Sequence, residues 1–257
     1  MVSTRRTAHT CLWLALGAAA PAQQDPDEAL RVLREGNRRF AADRSVPQPA
    51  GEGVRRTLAR GQSPLAVVLT CGDSRVAPEH VFNAGLGDLC VVRVAGHVAS
   101  PEVIASVEQA VTGLGVPLCV VLGHEGCDVV AATISEFGDA GSGRESRRTR
   151  AVLQLLERIE PAVRKARDLD LGGAALQAAC EEEHAHRTAH ELLRRSEVLR
   201  RHASVGRLRV VAARYRFDGS VDWLPPRPLP PAREAELTEP TGAVPTEIGR
   251  ASCRERV

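Results

Sequence analysis

Aromatic residues are scarce in this 257-residue chain: four Phe, two Trp and one Tyr, 3% in all. Surfaces that stack nucleic-acid bases need aromatic faces, and few are on offer. An excess of charge of one sign is missing too. The 34 basic and 32 acidic residues leave a formal net charge of +2, and they are spread along the chain, so no broad basic face for nucleic acid is implied. No apolar run reaches the roughly 20 residues that a permanent membrane helix needs, and no solenoid-type repeat is present. What the chain does have is a 43% hydrophobic content, enough for one large domain with a substantial core.

The two ends read differently from the middle. Residues 1–22 carry a basic start (Arg5, Arg6), a short apolar stretch from Cys11 to Ala20 and an "APA" ending at Ala22, the pattern of a signal peptide. The expectation is a soluble mature protein starting near Gln23, periplasmic or secreted, with no membrane contact after signal removal. The Arg5–Arg6 pair hints at twin-arginine export, but "TAH" after it lacks the usual apolar residues. Residues 23–224 read as the domain and 225–246 as a Pro-rich tail without periodicity. Residues 247–257, "EIGRASCRERV", look like the translation of a sequencing adapter and not like part of the folded protein.

Setting aside Cys11 and Cys253 from the seven cysteines leaves five, Cys71, Cys90, Cys119, Cys127 and Cys180. An odd number cannot form a complete disulfide framework. In an oxidising compartment, unpaired thiols need burial or a metal.

Along the domain, "DPDEALRVLREGNRRF" offers Asp25 as an N-cap, Pro26 at the first helical position and Glu28 three residues after the cap, followed by apolar residues at helical spacing. A Pro/Gly-containing connection, "SVPQPAGEG", comes next. Three continuous apolar runs, 65–70, 89–96 and 118–124, alternate with segments of helical character. Strands that are apolar on both faces belong to a parallel sheet covered on both sides. Long helical patterns run from about Ser146 to Asp168 and from about Ala174 to Ala203. Then "RLRVVAARYRFDGSVDWL" reads as a hairpin turning at Asp218–Gly219. The fold class is therefore α/β: a central, mostly parallel sheet with an antiparallel edge strand, flanked by helices.

Chemistry gathers at the ends of two apolar runs, where open parallel sheets place their sites. "CGDSRV" puts Cys71, Asp73 and Arg75 within five residues, and "LGHEGC" puts His124 three residues before Cys127. Together Cys71, His124 and Cys127 supply two thiolates and one imidazole, a set used by zinc sites that keep a fourth position open. Cys90 and Cys119, inside apolar strands, read as core, and Cys180 is undetermined. The helix histidines His184, His186 and His190 invite a second metal site, but an exposed, solvated face is the expectation.

"CGDSRVAPE", "GDLCVVRVAGH" and "VVLGHEGCDVV", with "ALRVLREGNRRF" before them, resemble the signature of the β-class carbonic anhydrases over roughly Asp27 to Leu224. The resemblance implies a zinc enzyme that hydrates carbon dioxide reversibly, a homodimer or homotetramer, with Zn²⁺ on Cys71, His124 and Cys127 and with Asp73 and Arg75 as the catalytic pair. In some members the pair opens and the aspartate closes the site. The chain departs from the family pattern at Asn83, His97 and Asp128. His97 is read as a hydrogen-bonded structural histidine, with proton shuttling as the alternative.

Physical reasoning gives the same residues work to do. Two thiolates cancel the ion's double charge, so zinc here is a weaker Lewis acid than on three histidines and needs help from its neighbours. Asp73 accepts a hydrogen bond from the zinc-bound water or hydroxide, aiming it at carbon dioxide. Arg75 holds Asp73 by a charge-assisted fork and keeps it ionised. The alternatives are a zinc hydrolase of another small linear substrate, such as carbon disulfide, and a non-catalytic zinc-binding protein.

Overall fold

A computed structural model describes residues 25–137 and 148–228. The signal-peptide and adapter readings lie outside these residues, as does nearly all of the Pro-rich tail.

Five strands form one sheet in the order β2-β1-β3-β4-β5: β1 (Ala66–Thr70), β2 (Leu89–Arg93), β3 (Leu118–His124), β4 (Arg209–Tyr215) and β5 (Val221–Trp223). The first four run parallel, and β5 pairs antiparallel with β4 across the Asp218–Gly219 turn. Every residue of β1 and β3 is buried, as their continuous apolar composition requires.

Alternate side chains feed two cores. Val67, Leu69, Cys119, Val121 and Ala212 face α4 (Pro101–Gly113), α7 (Gly173–Arg195) and α8 (Glu197–Ser204). Ala66, Val68, Leu118, Val120, Leu122 and Ala213 face α1 (Pro26–Ala41) and α3 (Pro78–Val81). Each fully buried Val or Leu contributes roughly 1.5–3 kcal/mol. Helices α5 (Asp128–Phe137) and α6 (Arg150–Arg167) pack a third apolar cluster around Cys71, Cys127 and Cys180.

Helix α1 starts as its sequence predicts: Asp25 accepts the N–H of Asp27, and Pro26 takes the first position. Its buried face carries Ala29, Leu30 and Leu33 together with Gly36 and Asn37. Gly36 allows the helix to touch the chain after α3, since a Cβ there would sit 1.8 Å from the Phe82 carbonyl oxygen.

Three expectations need correction. The connection before β1 contains a short helix, α2 (Glu52–Leu58), which buries no residue and so leaves no apolar period. The pattern from about 174 to 203 is two helices, because Ser196 leaves helical geometry and caps α8 by accepting the N–H of Leu199. Cys119 is core, but Cys90 is half-buried because β2 lies at the sheet edge. Among the described residues none of the five cysteines is in a disulfide, and no helix is long and apolar enough to cross a membrane.

Candidate metal centre

Register brings the two motifs together. Thr70, the last residue of β1, lies opposite Leu122 of β3, so Cys71 emerges beside the end of β3 at His124. The turn after His124 then returns Cys127 to the same spot before α5 begins. Cys71, His124 and Cys127 each offer one ligand atom, and the three atoms lie within 4.8 Å of one another. That is close enough for all three to be drawn onto a single ion with bonds of roughly 2.0–2.3 Å. The three side chains are 3%, 0% and 1% exposed.

Their chemistry suits a cation. His124 Nδ1 lies 2.9 Å from the Glu125 carbonyl oxygen. A carbonyl only accepts, so Nδ1 carries the proton and Nε2 keeps its lone pair. That Nε2 is buried with no hydrogen-bond partner among the described residues, an arrangement that an ion would satisfy. Cys71 is pulled well below the ordinary thiol range, first by a hydrogen bond from the Cys127 thiol, against the effect of burial, and also by the Gly96 N–H. Cys127 is pushed up by the same shared proton and by burial. A divalent positive charge between them would allow both to ionise.

The backbone around the thiols is specialised. Gly96 donates its N–H to Cys71 Sγ at 3.4 Å with a φ of +64°, and a Cβ there would meet Ile159 Cδ1 at 2.7 Å. Arg93, at the end of β2, donates to the carbonyls of Cys71 and Asp73 at 3.3 and 2.7 Å, pinning the turn that carries both.

Asp73 is 11% exposed in its side chain, and its Oδ2 lies 4.0 Å from His124 Nε2. Arg75 closes a fork on it, Nε to Oδ1 at 2.9 Å and Nη2 to Oδ2 at 2.6 Å, and also donates to the Gly126 carbonyl at 3.1 Å. That fork holds the Asp73 carboxyl down to about 2, against the opposing effect of burial. The five residues singled out in the sequence thus share one place.

Two of the three helix histidines, His184 and His186, are not on a solvated face, while His190 is half-buried. His184 and His186 are 2% and 5% exposed, and among the described residues they belong to no cluster suited to a metal. His184 Nε2 lies 2.6 Å from the Gly96 carbonyl, and its ring packs on His97 at 4.4 Å between centroids. His97 is buried, but its ring nitrogens have no hydrogen-bond partner among the described residues, so the expected bond is not there.

Residues that sequence reasoning passed over complete the surroundings. The Phe217 ring covers the outer face of Arg75. The buried carboxyl of Glu181 accepts the N–H of Cys127 and pairs with Arg214. The sequence carries no signal for Glu181, since Glu183 and His186 are buried on α7 as well as Glu181 and His184, and no apolar stripe sets it apart.

Comparison with known proteins agrees with this geometry. The sequence model of a family described as "Carbonic anhydrase" matches residues 66–221. The chain is 40% identical over 196 residues to "Carbonic anhydrase 2" of Mycobacterium tuberculosis, covering 76% of this chain and 90% of that protein. It is 38% identical over 201 residues to "Carbonic anhydrase" of Mycolicibacterium smegmatis, covering 77% and 93%. Among solved structures, the β-carbonic anhydrase CcaA superposes with a TM-score of 0.60 at 23% identity, over 79% of this chain and 91% of that one.

Proposed function

The chain belongs to the carbonic anhydrase family, β class, and on that premise we propose that it hydrates carbon dioxide reversibly to bicarbonate and a proton, with Zn²⁺ held by Cys71, His124 and Cys127. The observation that carries this reading is the convergence of those three donors beside the paired carboxylate of Asp73. The orphaned Nε2 of His124 and the proton shared by two thiols fit a divalent ion. When bound there, zinc would make water far more acidic than it is in bulk.

The chain's own residues do the rest. Asp73, ionised far below neutral pH, is an acceptor only. It takes a hydrogen bond from the reacting water and turns the oxygen lone pair toward carbon dioxide. Arg75 occupies both carboxylate oxygens, which fixes the side-chain angle of Asp73 and keeps it charged. Arg75 is itself restrained by the Gly126 carbonyl and the Phe217 face.

The same reading has the mature protein exported, periplasmic or secreted, on the strength of residues 1–22. It also has the protein assembling as a homodimer or homotetramer, a proposal supported by the open edge of β2, where Leu89, Cys90, Val91 and Val92 are only half-buried.

A metal count on the purified protein with stopped-flow carbon dioxide hydration tests the proposal. Stoichiometric zinc and hydration that disappears on chelation are expected. Zinc without turnover would point to a binding protein, and turnover of carbon disulfide in place of carbon dioxide would point to the hydrolase.

A further inference from the structure

Helix α7 approaches the centre from behind with a carboxyl that the proposed reaction does not use. Glu181 is 1% exposed, and three donors converge on it. The Cys127 N–H reaches Oε1 at 3.0 Å, Gln177 Nε2 reaches the same oxygen at 3.1 Å, and Arg214 Nε reaches Oε2 at 2.9 Å. Taking two charges out of water commonly costs as much as their attraction returns, and an apolar pair of similar volume would hold a fold as well or better. Stability alone therefore does not account for the pair.

The Cys127 peptide does. It sits in a turn that passes through Gly126 at a φ of +63°, between β3 and α5, where no sheet ladder fixes the peptide planes. Three residues along α7, on the same face, His184 Nε2 bonds the carbonyl of Gly96, whose N–H donates to Cys71 Sγ. One stretch of helix thus steadies the backbone at both thiols.

The geometry points to Glu181 as a positioning residue: held in place by Arg214, it fixes the Cys127 peptide so that Sγ is aimed at the ion it shares with Cys71 and His124. This rests on the zinc reading above. Partners of this kind, one bond removed from the ligands, change metal affinity roughly 10–100-fold when lost.

The test compares the zinc-loaded wild-type chain with two charge-balanced variants. Glu181→Leu/Arg214→Leu removes the acceptor, and Glu181→Gln/Arg214→Leu keeps an amide oxygen for the Cys127 N–H. Zinc affinity is read by competition with a chromogenic chelator, thiolate geometry by the visible spectrum of the cobalt-substituted chain, and fold by the melting temperature of the metal-free chain. The leucine pair is expected to stay folded, its metal-free melting temperature lowered by no more than the one unpaired Cys127 N–H accounts for, to lose zinc affinity about 10–100-fold and to shift the cobalt spectrum. The glutamine variant is expected to regain most of that affinity. Should the leucine pair fail to fold, Glu181→Asp keeps the charge facing Arg214 but withdraws from Cys127, and the same loss is expected. Equal zinc affinity in wild type and the folded variants overturns the inference while leaving the zinc reading intact. A wild-type chain that takes up no zinc overturns both.

Discussion

The guanidinium of Arg75 lies over the face of Phe217, its central carbon 4.6 Å from the ring centroid, while its opposite edge forks onto Asp73. Phe217 is 44% exposed, so its ring contributes little to the core and acts chiefly as a wall against Arg75. Cation–π contacts at exposed sites are worth about 0.5–1 kcal/mol. Phe217→Ala should therefore lower carbon dioxide hydration roughly 2- to 5-fold, the equivalent of that energy, with zinc content unchanged and Phe217→Trp close to wild type. Stopped-flow rates beside metal analysis decide it, and a variant as fast as wild type would remove Phe217 from the site.

Asp73→Asn keeps the size of the side chain but replaces an acceptor with an amide that also donates, and it leaves Arg75 without its counter-charge. Misplacement of a reacting group by about an ångström costs on the order of 10²-fold. A fall of about that size or more is expected in kcat/KM, while zinc stays bound because Asp73 is not among the three converging donors. Loss of zinc along with activity would show that Asp73 holds the metal.

Metal removal should also be visible in stability. An ion that binds only the folded chain stabilises it by about 4 kcal/mol when free zinc is 1,000-fold above Kd. Chelation should lower the melting temperature of the wild-type chain, and Cys71→Ser or His124→Ala should melt low with or without added zinc. A wild-type melting curve indifferent to zinc would contradict the assignment of these donors.

Burial pushes the His184 imidazole down from its ordinary 6.5 to about 4, and the bond to the Gly96 carbonyl only partly offsets that. Between those two values the unfolded chain takes up a proton that the folded chain refuses. Stability from this source is thus complete above about 6.5 and is lost as the pH falls toward 4, by up to about 1.4 kcal/mol per pH unit. His97, lowered by burial and then by its histidine neighbours, adds in the same direction. Urea unfolding of the zinc-free chain at pH 7 and pH 5 should show the loss, and His184→Gln, which cannot be protonated, should lose less. An equal loss in that variant would place the acid sensitivity elsewhere.

Legibility from sequence followed the physics of each element. Strands β1 and β3 are buried on both faces, so their letters are uniformly apolar, and a parallel sheet has to bring their carboxyl ends side by side. Cys71 and His124 could be paired on that ground together with their metal-ligand chemistry, while the adjacency of β1 and β3 belongs to the sheet order. Glu181 could not, because "EEEH" is spelled the same whether the helix meets water or Arg214, and Arg214 occupies a polar slot in a strand whose neighbour is named only by the tertiary fold. β2 carries letters like those of β1 yet is half-exposed, since an edge position is a property of the sheet and not of the strand. Ser196 breaks a helical pattern only because its hydroxyl has the Leu199 N–H to accept, and the local letters serve a helix interior equally well.

Asn37 ties the N-terminal helix to the hairpin that carries Phe217. It is 5% exposed. Its Nδ2 donates to the carbonyls of Val81 and Gly219 at 3.1 and 2.9 Å, and its Oδ1 accepts the Val221 N–H at 3.0 Å. Asn37→Ala strands these three backbone groups, and each buried group left unmade costs about 1–3 kcal/mol. A loss of at least about 2 kcal/mol is expected in urea unfolding. Asn37→Asp is the sharper comparison. It keeps the acceptor for Val221, yet it turns a second oxygen with no proton toward two carbonyl oxygens, so at neutral pH it should destabilise at least as much as alanine. If asparagine served only to fill space, aspartate, nearly the same size, would be tolerated and alanine would be the worse of the two.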